Sequence, residues 1–96
     1  MKNVIFTGKY KNSMKDVRKY PEFNAKELEE LINKLANGEK LDDKYRDHAM
    51  STSSSLKGVR GFHLRGNLVI LYRMSADTLE MLDIGKHNKI RLTSSL

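Results

Sequence analysis

Leu56–Arg73, LKGVRGFHLRGNLVILYR, is the stretch on which the reading of the whole chain turns. Val59 to Leu64 and Leu68 to Met74 are apolar runs of strand length, and Gly66-Asn67 between them supplies residues that reverse a chain. The stretch therefore reads as a β-hairpin. A further strand signal, Thr78 to Ile84, follows Ala76-Asp77, so the three strands make an antiparallel meander. The hairpin also carries three arginines, a lysine and a histidine, with no acid among its residues. Strand faces that are merely solvated pair opposite charges across the ladder. This one has nothing of its own to pair with, so an anionic partner is expected.

Upstream, residues 3–7 read as a short strand. Thr7 can cap a first helix, in which Tyr10, Met14 and Val17 share one face, and Pro21 breaks it. Asn24, with Glu27 three residues on, starts a second helix. Its stripe is Leu28, Leu31, Ile32 and Leu35, and Asn37-Gly38 ends it. Glu27, Glu29 and Glu30 lie in its first turns, where the macrodipole favours negative charge. Residues 39–55 are polar and irregular, and the run Ser51-Thr52-Ser53-Ser54-Ser55 reads as a loop. One strand, two helices and a meander predict an α+β domain over residues 1–96. Its helices pack on one face of an antiparallel-rich sheet, and the other face is where function is sought.

Composition narrows the class. The chain has 96 residues, 39% of them hydrophobic, enough for one modest core, and no cysteine for a disulfide or a thiolate metal site. No apolar run reaches the ~18 residues of a membrane span, and no signal-peptide h-region opens the chain, so a cytoplasmic protein without membrane association is expected. The net charge of +6 is unevenly spread. Residues 1–20 carry six basic groups against Asp16, residues 21–43 carry seven acids against three lysines, and residues 44–73 are basic again apart from Asp47. Such segregation predicts a patch for an anionic partner, nucleic acid or acidic protein, with Arg46, Lys57, Arg60, Arg65, Arg73 and Lys86 as candidate phosphate contacts.

His48, His63 and His87 are the groups that titrate near neutral pH without help, and all three fall at or beside the sheet. Cleavage of RNA needs such a set: a base for the 2′-OH proton, an acid for the leaving 5′-oxygen, and cations around the phosphorane. Three histidines are also an ordinary number, and a strand histidine is most often a packing residue. No HExxH-like spacing supports a metal site, so neither metal nor cofactor is expected.

The segments YRDHAM, LKGVRGFHLRGNLVILYR and LDIGKHNKI, in this order, resemble three signatures of the RelE superfamily of bacterial toxins, in its YafQ-like branch. The resemblance extends over nearly the whole chain. It implies the toxin of a type II toxin–antitoxin pair: an endoribonuclease that cuts mRNA on the ribosome. It also implies an acidic antitoxin as inhibitor, with the chain monomeric alone and hetero-oligomeric in that complex. By motif, His48, His63 and His87 correspond to the family histidines that transfer protons and hold the scissile phosphate, and Arg60 to a phosphate-binding arginine. The roles of the individual histidines stay open.

This sequence departs from the pattern in three places. Asn67 stands in Gly66-Asn67 where the family has Pro-Asp, and a neutral amide cannot hold an imidazolium by charge. The loop between His48 and His63 is about two residues longer than the family pattern. Arg91 replaces an aromatic, exchanging base stacking for guanidinium stacking or phosphate contact. The alternative reading is thus a RelE-fold module that binds antitoxin or RNA without efficient cleavage.

Overall fold

The computed structural model describes residues 1–49, 58–65 and 67–86. Lys57, Gly66, His87, Arg91 and the serine run lie outside the described residues. Among those described, the order is β1 (Asn3–Phe6), α1 (Gly8–Val17), α2 (Ala25–Ala36), a 3₁₀ turn (Asp43–Tyr45), β2 (His48–Ala49), β3 (Val59–Leu64), β4 (Leu68–Met74) and β5 (Thr78–Lys86).

Both helices start where the sequence places their caps. Thr7 Oγ1 accepts from the Tyr10 amide at 3.2 Å, and Asn24 Oδ1 accepts from the Glu27 amide at 3.0 Å. The Thr7 hydroxyl also donates to the Met81 carbonyl at 3.0 Å, which ties the start of α1 to β5. Gly38 takes φ +80° after α2, a left-handed turn open to glycine at no steric cost.

The strands form one sheet in the order β1-β5-β4-β3-β2. β1 runs parallel to β5, and every other pair is antiparallel. The architecture is the expected α+β arrangement, with three differences in detail. β5 continues to Lys86. β2 forms within the segment read as irregular, because two residues are too few to show a period and are recruited by the edge of β3. The hairpin turn is longer than two residues: Leu64 pairs with Leu68, and Arg65 takes the left-handed φ of 54°.

Alternation along β3 and β4 sorts side chains between the two faces. Phe62, Leu64, Leu68, Ile70 and Tyr72 join Tyr10, Val17, Leu28, Leu31 and Leu35 in the main core beneath the helices. Each such side chain contributes about 1.5–3 kcal/mol when fully buried. Val59, Val69 and Leu71, with Leu82 against them, make a smaller cluster on the opposite face. His63 and Arg73 fall on that second face by the same alternation. Arg60 falls on the helix side, between Phe62 and the strand end.

Candidate active site

His48 and His63 meet on the face away from the helices. In the β2–β3 register His48 lies opposite Gly61, two residues before His63. With no side chain at Gly61, the His48 ring lies beside that of His63. Their centroids are 5.6 Å apart and the rings are within 12° of parallel. His48 is exposed, whereas His63 is 6% exposed and set into the sheet. His48 Nδ1 lies 2.7 Å from the Arg46 carbonyl oxygen. A carbonyl only accepts, so Nδ1 carries the proton and Nε2 of the neutral ring keeps its lone pair. Arg46 presents that carbonyl by closing the 3₁₀ turn at a left-handed φ of 49°. The result is a base-competent imidazole beside a second, embedded one.

A polar clamp sits on the other side of the same strand edge. The Tyr72 hydroxyl donates to the Asp47 carboxylate, 2.7 and 2.8 Å from its two oxygens. Arg60 Nε donates to the Tyr72 oxygen at 3.2 Å and lies 3.4 Å from Asp47 Oδ1. Burial first, then the bond to Asp47, pushes the Tyr72 hydroxyl above the ordinary tyrosine range, so it remains a donor at any working pH. The Tyr72 hydrogen bond and the Asp47 charge push the Arg60 guanidinium up in turn. Asp47 immediately precedes β2, a strand of only two residues. Held from below, the backbone at His48 is pinned to β3 and β4.

At the hairpin turn the cations and the amide are engaged by the helical segment. Arg65 pairs with Glu27 at 3.3 Å, and Glu27 also accepts from the Tyr45 hydroxyl at 2.9 Å. Asn67 Nδ2 donates to the Glu22 carboxylate. That bond is the foremost cause holding Glu22 below the usual carboxylate range, with Lys86 adding to it. The Lys86 ammonium sits over the Tyr20 ring, 4.4 Å from its centroid.

Of the residues singled out in the sequence, His48 and His63 are brought together, and Arg73 shares their face. Arg60 is held by Asp47 and Tyr72 across the sheet from them; Arg65, Asn67 and Lys86 lie at the turn against the helices. Sequence reasoning missed Tyr72 and Glu22. Tyr72 could have been found, since pairing Leu64 with Leu68 forces Arg60 opposite Tyr72. Glu22 left no local signal, because it lies 45 residues from its partner. Among the described residues no three histidines, cysteines or carboxylates gather as metal ligands.

The comparison with known families decides the relationship. A model described as a bacterial toxin of type II toxin–antitoxin systems, YafQ, matches residues 2–92. The chain belongs to the YafQ family of toxins. Its fold is shared with a metal-bound toxin from Helicobacter pylori, at 27% identity and a TM-score of 0.81 over 94% of this chain and 99% of that one. YafQ from Escherichia coli strain BL21(DE3) superposes with a TM-score of 0.79 at 22% identity, covering 94% and 98% of the two chains. YafQ in the E. coli DinJ–YafQ complex gives 0.81 at 23% identity over the same shares. None of the curated proteins compared with the chain matches it. Among the described residues no helix is long and apolar enough to cross a membrane.

Proposed function

We propose that this YafQ-family toxin is a cytoplasmic, ribosome-dependent endoribonuclease that cuts mRNA by acid–base chemistry and is restrained by an acidic antitoxin. The observation that carries the reading is the His48–His63 pair, with His48 Nε2 left as an acceptor on an exposed ring. In the reaction His48 Nε2 takes the 2′-OH proton as the 2′-oxygen attacks phosphorus. The bond from phosphorus to the 5′-oxygen breaks, and that oxygen receives a proton from a second histidine, leaving a 2′,3′-cyclic phosphate and a 5′-hydroxyl. His63 stands beside the base; His87 is the family's other candidate. Arg73, on the same face, and Arg46, next to the base, are the nearest cations for the phosphorane. Asp47 acts through the backbone, as a positioning residue for His48.

The DinJ–YafQ complex of the E. coli relative supports an antitoxin as the partner. The basic balance of residues 44–73 calls for that antitoxin to be acidic where it covers this region. The alternative, a binding module with weak cleavage, draws support from Asn67, whose amide is spent on Glu22 rather than turned to a histidine. Single-turnover cleavage on programmed ribosomes, from pH ~5.5 to ~9, separates the two. Cleavage lost on replacing His48 establishes the enzyme. Growth arrest or antitoxin binding with no cleavage at any pH establishes the module.

A further inference from the structure

Phe6 is 42% exposed at the end of β1, itself an edge strand. Beside it Val4, Phe6, Met14, Phe23, Leu28 and Ile32 line an open groove of about 480 Å³ between β1, α1 and α2. A second hollow of about 330 Å³ runs over the outer side of α1 and shares Phe6, Met14 and Arg18 with the first, so the two make one trough. Its rim is basic along α1. Lys11, Lys15 and Arg18 stand at i, i+4 and i+7, all exposed, and among the described residues none of them forms an ion pair. The α2 wall opposite carries Glu29 and Asn33.

We propose that this trough docks an acidic amphipathic segment of the antitoxin, apolar side chains in the groove and carboxylates along the Lys11–Lys15–Arg18 row. The identity of the partner rests on the antitoxin reading above; the place and chemistry of docking rest on the trough. An amphipathic helix matches both features, because an apolar stripe flanked by one charged edge fits an apolar floor with one basic wall. An RNA strand fits poorly: its phosphates would face Glu29 on one side, and the apolar floor would contribute nothing to holding them. The trough lies on the helix side of the sheet, away from the His48–His63 pair. It therefore holds the partner without relying on the surface used for RNA, and a toxin engaged with its substrate can still be captured.

The test uses the full chain labelled with ¹³C-methyl methionine, and as probe the protein encoded by the reading frame adjacent to this chain's gene. Of the chain's five methionines, Met14 alone lines the trough. Binding should shift the Met14 methyl, and Lys11→Glu with Lys15→Glu should slow association roughly tenfold or more and flatten its salt dependence. These lysines are exposed, so the fold should survive; Phe6→Ser, read by the dissociation rate, supplies an independent check. A complex that forms with Met14 unmoved and no effect of charge reversal overturns the trough while the antitoxin reading stands. If no complex forms, the antitoxin reading fails and the trough loses its occupant. A Met14 shift that follows the chain's own concentration, or added RNA, would assign the trough to a second copy or to nucleic acid and also overturn the proposal.

Discussion

The two ends of the β3–β4 hairpin carry the same kinds of residue and use them differently. At the turn, Arg65, Asn67 and nearby Lys86 meet Glu27, Glu22 and Tyr20 on the helical segment. At the β2 edge the histidines remain on the outer face while Arg60 is taken up beneath them by Asp47 and Tyr72. The acids of residues 21–43, which look in the sequence like a solvated counterweight to the basic patch, are thus partly spent on it. Basic side chains are available for a phosphate chain only where the fold has left them without an acid. The contacts at the turn are largely solvent-exposed, worth about 0–1 kcal/mol each, so they bias the cations without locking them.

The contrast between the ends should appear first in catalysis. His48→Ala and His63→Ala should each lower single-turnover mRNA cleavage by about 10²–10⁴, and the double variant by far less than the product, because groups acting as a unit are not additive. Arg65→Ala at the turn should cost much less. If Arg65→Ala matches the histidine variants, the active centre lies at the turn and the comparison is inverted.

Next comes the clamp. Tyr72→Phe keeps the ring in the core but leaves Asp47 and Arg60 without the hydroxyl, a loss of about 1.5–3 kcal/mol for a hydrogen bond to a charged group. Denaturant unfolding measures it. Cleavage should fall with kcat more than with KM, since the loss acts through the placement of His48. The pH dependence has a fixed sign. The folded-state Tyr72 proton is held above the tyrosine range. Its stabilisation is therefore complete below the unfolded value near ~10 and is lost as pH rises beyond it. Tyr10, pushed up to about 12 by burial, behaves likewise. Stability should decline above pH ~10, less steeply in Tyr72→Phe. A variant with unchanged stability and unchanged alkaline slope would remove the clamp.

Salt dependence sharpens the comparison further. Were about five of the basic residues on phosphates, log affinity for RNA would fall against log salt with a slope of roughly −3 to −4, at ~0.7 per single-strand contact. With Arg60, Arg65 and Lys86 engaged within the protein, the expected slope is nearer −2. The steeper value would show that RNA draws the turn cations away from their acids.

The smallest effect is at Asn67. Asn67→Asp would set a second carboxylate against Glu22, removing the donor that holds Glu22 down. The wild-type contribution is present above the unfolded carboxylate value and disappears as pH falls through the folded one. In the variant the sign reverses, so its stability should improve on mild acidification, and Glu22→Gln in the same chain should restore the melting temperature at neutral pH. This differs from reading Asn67→Asp as simple restoration of the family's carboxylate. That reading predicts faster cleavage from the single variant, whereas the Glu22 contact predicts the gain only when Glu22→Gln is added.

Much of the fold was legible in the chain because it is encoded locally. Thr7 and Asn24 announce the helix starts by their own side chains, the Leu28–Leu35 stripe has its period within one helix, and the hairpin is bounded by its own turn residues. The family was legible because three motifs survive in order around the histidines. The pairing of β1 with β5, the two-residue β2 and the Asn67–Glu22 contact were not legible, since each joins residues far apart in sequence and has no periodicity to display. The pairing of His48 with His63 was anticipated from motifs and delivered by register, through Gly61 opposite His48. Which arginines face a partner and which are answered from within was decided by tertiary structure alone: strand alternation chooses the face, and only folding brings Asp47, Glu22 and Glu27 within bonding distance of the hairpin.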